Sequence, residues 1–223
     1  NESNSNFIDL KKERSKPIFS KTENFIEYFH RENEFDDFST EILLPYKQST
    51  LGPFITLGDA NNDGKDDIFI GGAHKNEAKI FLSNDIGFYE KNIESFENDS
   101  DSEDMESIFI DVDNDDDLDI YVVSGGNEFN SRSSELADRI YINDGNANFK
   151  KDLQEDVKNY TISGKTVTSI DYDNDGDNDI IVGNRIKTKK YPIHDPSIIY
   201  ENISGKFYNN TFNVAPEFEN FGI

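Results

Sequence analysis

Cysteine and tryptophan are both absent from the 223 residues, and methionine occurs once. Without cysteine there are no disulfides, no thiolate zinc sites and no cysteine nucleophile. Something else must rigidify the fold, and bound metal is the available candidate. Basic residues are also scarce: 22 Lys and Arg stand against 46 Asp and Glu, a net charge of −24. A chain of that sign repels nucleic acid and anionic lipid, so neither is expected as a partner. Its one cationic cluster, Arg185 to Lys190 (RIKTKK), reads as a solvated loop. No apolar run approaches the roughly 18 residues of a membrane span. The stretch from Asn1 to Lys12 lacks a basic-then-apolar export pattern, so any export signal is expected to lie upstream or to have been removed. Histidines are few and isolated at positions 30, 74 and 194, and His30-Arg31-Glu32 does not fit the H-E-x-x-H pattern of metalloproteases.

Aromatic residues are plentiful, with 18 Phe and 10 Tyr, and short apolar runs recur. Both favour a β-rich fold over a disordered polymer, and the length suffices for one large domain or two small ones. The dominant signal is a repeat. Three units align: Gly52–Ala73 (GPFITLGDANNDGKDDIFIGGA), Glu106–Gly126 (ESIFIDVDNDDDLDIYVVSGG) and Thr166–Asn184 (TVTSIDYDNDGDNDIIVGN). Each reads as strand, acidic loop, strand, and each is followed by two further strand-like runs. Asn143-Asp144-Gly145 and Ser204-Gly205 supply tight-turn chemistry between those last two runs. The acidic loops begin at Asp59, Asp111 and Asp171, so the repeat steps are 52 and 60 residues. Four short strands per step is the cadence of a propeller blade, and the expected fold is all-β.

The acidic loops share the pattern D-x-[DN]-x-D-[GD]-x-x-D. Side-chain oxygens recur at Asp59, Asn61, Asp63 and Asp67, at Asp111, Asp113, Asp115 and Asp119, and at Asp171, Asp173, Asp175 and Asp179. Positions 1, 3 and 5 of a tight loop can converge on one ion. A glycine at position 6 (Gly64, Gly176) permits the sharp turn, and Asp116 takes that place in the second loop. A backbone carbonyl at position 7 (Lys65, Asp117, Asp177) would complete the ring. So many hard oxygen ligands suit Ca²⁺ better than Mg²⁺, which retains its waters. The loops are not EF-hands. Position 12 holds Ile70, Val122 and Val182 in place of glutamate, inside runs that read as strands. The three loops hold 15 of the 46 acidic residues, and such crowding without a cation would be strongly repulsive. About three Ca²⁺ per chain are expected. A further acidic run, Glu94 to Glu106, lacks the spacing and reads as a flexible surface loop.

Gly52–Ala73 resembles the FG-GAP repeat of integrin α-subunit propellers, and the other two units resemble the VCBS repeats of bacterial surface proteins. The resemblance covers about residues 50–212. It implies a propeller of about seven blades, an extracytoplasmic location at the cell surface or in secreted form, and calcium stiffening the first hairpin of each blade. Three blades cannot close such a ring. The chain is therefore expected to be an arc of a longer protein, lying against other blades of that protein or against neighbouring subunits. The expected division is an N-terminal segment 1–50 that caps or edges the arc, blades at about 51–104, 105–160 and 161–212, and the start of a further blade or a tail at 213–223. A weak helical stripe is present near Asn24–Phe38. The leading functional expectation is a non-enzymatic module binding protein or glycan through loops such as Asn127–Ala137 and Arg185–Pro196. The rival is a calcium-assisted polysaccharide lyase or hydrolase, which requires a carboxylate in a deep groove outside the three loops.

Overall fold

The structure, a computed structural model, describes residues 26–220; the expectation made for Asn1–Lys12 lies outside them. Among the described residues twelve strands form three four-stranded antiparallel sheets, each from four strands consecutive in the chain. The first sheet holds β1 (Ile55–Gly58), β2 (Asp67–Ile70), β3 (Lys79–Asn84) and β4 (Gly87–Lys91). The second holds β5 (Asp104–Ile110), β6 (Asp119–Ser124), β7 (Arg139–Ile142) and β8 (Lys150–Asp152). The third holds β9 (Gly164–Ile170), β10 (Asp179–Asn184), β11 (Ile198–Asn202) and β12 (Phe207–Asn209). Spatial order follows chain order in every sheet, as in a propeller blade.

Strand periodicity explains how the sheets stack. Alternate residues of a strand face opposite sides, and β6 is apolar on both. Ile120 and Val122, with Tyr141 of β7, join a core made with Phe69, Ile80 and Leu82 of the first sheet. Tyr121 and Val123, with Ile140, join a second core made with Val167, Ile180, Val182 and Tyr200 of the third. The middle blade is thus packed on both faces, which is why DIYVVS reads as a continuous buried run. Each fully buried tyrosine contributes roughly 2–3 kcal/mol of apolar burial. Two of the rings also satisfy their hydroxyls: Tyr121 donates to Asp138 and Tyr141 to Asp99, both at 2.8 Å.

First strands form the inner row, β1 and β9 each packing against β5. Gly58 ends β1 where an added Cβ would meet the Phe109 ring at 2.6 Å, so the close approach of blades one and two requires glycine there. The fourth strands lead into single helical turns, α2 (Glu94–Asn98), α3 (Glu155–Lys158) and α4 (Thr211–Val214), numbered after an earlier turn α1 (Asp37–Thr40). Phe96 of α2 and Val157 of α3 fill the first and second inter-blade cores.

Three expectations are corrected. Glu94–Glu106 is not a flexible loop: it forms α2 and the start of β5, and Glu103 and Asp104 are 1% and 4% exposed. Asp104 is held there by a buried ion pair with Arg139 and by the Gly72 N–H at 2.7 Å. The stripe near Asn24–Phe38 is not a helix within the described residues; only the α1 turn forms, capped by Asp36. Among its described aromatic residues, Tyr28 meets Phe81 edge-on at 6.2 Å between centroids. RIKTKK is a loop but not simply solvated. Arg185 stacks on Tyr46 at 4.6 Å, Ile186 and Thr188 are buried, and the Lys189 N–H donates to Asn127 at 2.9 Å. After the third sheet, residues 211–220 form α4 and a 3-10 turn (Pro216–Asn220).

Residues 26–50 contain no strand and brace the long loops. Buried Asp37 accepts from Ser49 Oγ at 2.6 Å and from Asn127 Nδ2 at 3.1 Å. Glu41 accepts from Asn127 Nδ2 and from the Tyr191 N–H, both at 2.6 Å. Among the described residues no helix is long and apolar enough to cross a membrane.

Candidate metal centre

Each acidic loop joins the first and second strands of its blade, and one hydrogen-bond scheme builds all three. The position 9 aspartate, fully buried in every loop, ties the hairpin together with both oxygens. Asp67 accepts from the N–H groups of Ala60 at 3.0 Å and Ser83 at 2.7 Å. Asp119 accepts from Val112 at 2.9 Å and Asn143 at 2.8 Å, and Asp179 from Tyr172 at 3.0 Å and Asn202 at 2.8 Å. The position 1 aspartate accepts from the N–H of position 6: Gly64 to Asp59 at 2.7 Å, Asp116 to Asp111 at 3.1 Å and Gly176 to Asp171 at 3.3 Å. The position 5 aspartate accepts from position 7: Lys65 to Asp63 and Asp117 to Asp115 at 3.0 Å, Asp177 to Asp175 at 2.9 Å. These local bonds, the usual work of Asp in turns, shape the loop from its own side chains. Position 6 has positive φ in all three, 82° at Gly64, 69° at Asp116 and 101° at Gly176.

The carboxylates converge to different degrees. In the second loop Asp111, Asp113 and Asp115 bring an oxygen each within 4.8 Å of one another, and in the third Asp171, Asp173 and Asp179 do so. Asp175 is not part of that third group. In the first loop Asn61 stands between Asp59 and Asp63 as the amide member of the set. Burial raises the carboxyls of Asp67, Asp113 and Asp179, and pushes Asp119 up to about 7 against the pull of its two backbone donors. Neighbouring loop aspartates add repulsion in each case.

Asp171 Oδ1 is the decisive atom for whether a cation fits. It is buried and has no hydrogen-bond partner among the described residues. An anionic oxygen withdrawn from water and left without a donor is costly unless a cation meets it. Lys65 is the one basic residue within the three loops, and it turns away to Asp85 at 2.7 Å. The donor set, all hard oxygen, therefore fits Ca²⁺.

Sequence comparison bears on the same loops: residues 111–182 match the FG-GAP-like repeat. The matched stretch covers about a third of the chain. It opens on Asp111, the first residue of the second loop, and closes at Val182 in β10, after the third loop. A comparison with curated proteins found no match. Solved structures do match, 34 chains among them. One is an Agrocybe aegerita lectin described for specific recognition of non-reducing terminal N-acetylglucosamine. It shares 20% identity at a TM-score of 0.44, over 69% of this chain and 36% of the lectin. The chain thus spans about a third of that protein's length.

Two sets of residues escaped the sequence reading. The residue closing each third strand, Ser83, Asn143 and Asn202, donates its N–H to the position 9 aspartate. Asparagine also occupies position 4 of every loop, at 62, 114 and 174. That identity was a visible signal, hidden among the many asparagines of the chain.

Proposed function

We propose that the chain is a calcium-stiffened portion of a β-propeller that works outside the cytoplasm as a ligand-binding module. The unpartnered buried Asp171 Oδ1, in a loop whose design is repeated in two neighbours, carries this reading. Each ion would be held by the side chains at positions 1, 3, 5 and 9 and the carbonyl at position 7, and would cross-link the hairpin by direct ligation. Extracellular modules commonly work with weak calcium sites, near 10⁻⁴–10⁻³ M, which suits loops as exposed as these. Calorimetry on chelator-stripped protein should give about three Ca²⁺ per chain, with a higher melting temperature in calcium. Asp175→Ala should remove one ion, whereas Asp101→Ala, a surface partner of Lys75, should remove none. No heat and no melting shift with the intact chain would sink the reading.

The ligand surface proposed is the cleft between the loops Asn127–Ala137 and Arg185–Pro196. The cleft measures about 400 Å³ and is lined by Ser131, Tyr160, Thr161 and Thr188 among others. Ser131 and Thr188 hydroxyls meet at 3.1 Å across the two loops, fixing its shape. Hydroxyls around an aromatic ring in a cleft of that size suit a short sugar better than a flat protein face. Asp195 is the one carboxylate lining it, 3.8 Å from Lys187. A two-carboxylate hydrolase would need a second one opposite, so binding is the reading adopted. Loss of glycan-array signal in Tyr160→Ala would support the cleft, and an unchanged signal would remove it.

A further inference from the structure

The position 4 asparagines connect one acidic loop to the next. All three have left-handed backbones, with φ of 58° at Asn62, 60° at Asn114 and 62° at Asn174. Asn62 Nδ2 donates to Asp117 Oδ1, and Asn114 Nδ2 donates to Asp177 Oδ1, each at 2.5 Å. The donor therefore sits at position 4 of one loop and the acceptor at position 7 of the following loop, twice over. Each acceptor is also seated by a turn of its own blade. Gly145 lies so close to Asp117 that an added Cβ would fall 2.5 Å from its carboxylate. The Ser204 N–H donates to Asp177 Oδ2 at 2.9 Å. The first loop departs from the scheme. Its position 7 is Lys65, which reaches Asp85 in its own blade.

We infer that the three calcium sites are coupled in chain order, with Asn62 and Asn114 as positioning residues that let an ion in one loop prepare the next. The inference rests on the calcium reading above. Asn62 lies between Asn61 and Asp63, two side chains an ion in the first loop would gather. Fixing them fixes the left-handed turn at Asn62 and so the place of its amide. That amide holds the side chain of Asp117, whose carbonyl is the position 7 ligand of the second loop. The cost of ordering this shared element falls on whichever ion binds first, so the second binds more tightly. By linkage the benefit runs equally in both directions. Repulsion between neighbouring dications opposes it, and salt weakens that repulsion for exposed charges more than about 8 Å apart at physiological ionic strength.

The test compares Asn62→Gly, Asn114→Gly and Asn174→Gly in calcium titrations of the whole chain. Sites are read individually from amide NMR shifts of each loop. Glycine removes the amide while keeping the positive φ, and all three positions are exposed, so the fold is not threatened. Asn174 is the internal control: it shares the conformation but has no next-loop acceptor among the described residues. Asn62→Gly should weaken the second site by roughly five-fold, and Asn114→Gly the third by a similar factor. Asn174→Gly should leave all three sites unchanged. Emptying the first loop with Asp63→Ala should weaken the second site as Asn62→Gly does, and combining the two should add little. Three independent sites in the unmodified chain, equal effects of all three glycines, or full additivity would overturn the coupling and leave the calcium sites standing. An unmodified chain that takes up no calcium would overturn the calcium reading, and the coupling with it.

Discussion

Asn143, closing the third strand of the middle blade, donates its side-chain amide to the carbonyl of Ala60 in the acidic loop of the blade before it, at 2.8 Å. Asn202 makes the same bond to Val112 one blade later, also at 2.8 Å. Ser83 holds that position in the first blade, and its hydroxyl is buried without a partner among the described residues. The contrast predicts opposite sensitivities. Asn143→Ala breaks a buried inter-blade network and should cost about 2–3 kcal/mol in urea unfolding. Ser83→Ala removes a hydroxyl that bonds to nothing and should stay within about 0.5 kcal/mol of the parent. Equal losses in the two variants would contradict the inter-blade role of Asn143.

Arg139 and Asp104 form a buried pair, their side chains 5% and 4% exposed. Arg139→Ala should cost about 3–5 kcal/mol, because Asp104 would remain as an uncompensated charge. Asp104→Asn together with Arg139→Met should cost much less than the sum of the single changes. A double-mutant cycle by chemical denaturation measures this.

Glu103 makes the fold sensitive to alkali. Burial pushes its carboxyl up from an ordinary value of 4.5 to about 9; the His74 N–H opposes this, and the charges of Glu128, Glu32 and Asp104 add to it. Between those values the native protein keeps a proton that the unfolded chain releases. Stability from this group is therefore complete at acidic pH and falls as pH rises toward about 9. Glu103→Gln should flatten that fall and stabilise the protein at pH 8 by on the order of 3 kcal/mol. Melting temperatures across pH 5–9 with the same slope in both proteins would count against it.

Asp116 holds a left-handed turn, φ 69°, where the other two loops have glycine. Asp116→Gly should relieve that strain and one of the loop's six negative charges, raising stability without calcium by about 1 kcal/mol. Thermal melts in chelator check this.

How much was legible depended on distance along the chain. The loops declare themselves because their ligand positions and the bonds that turn them lie within nine residues, as the Ala60–Asp67 and Gly64–Asp59 bonds show, although each position 9 aspartate also takes a donor from the third strand region. The strands declare themselves by apolar alternation, and β6 by its unbroken apolar run. Asp104 looked like solvent-facing charge because composition carries no trace of Arg139, its partner 35 positions away, and Glu103 because its donor, the His74 N–H, lies 29 positions back. The opening segment was opaque for the same reason. Within the described residues it makes no strand, and Asp37 acts through Asn127, 90 positions on. Asn62 and Asn114 showed their repeat position but not their acceptors, which lie in the next loop.

The double-sided burial of β6 has a consequence for how the molecule opens. The first blade can leave by parting one core and the third by parting the other, but β6 meets solvent only when both have separated. Its amide protons should therefore exchange with bulk deuterium only through complete unfolding, and so report the global stability of the chain. Amides of β1, where Ile55 and Leu57 are 60% and 58% exposed, should exchange through the smaller opening of a single edge.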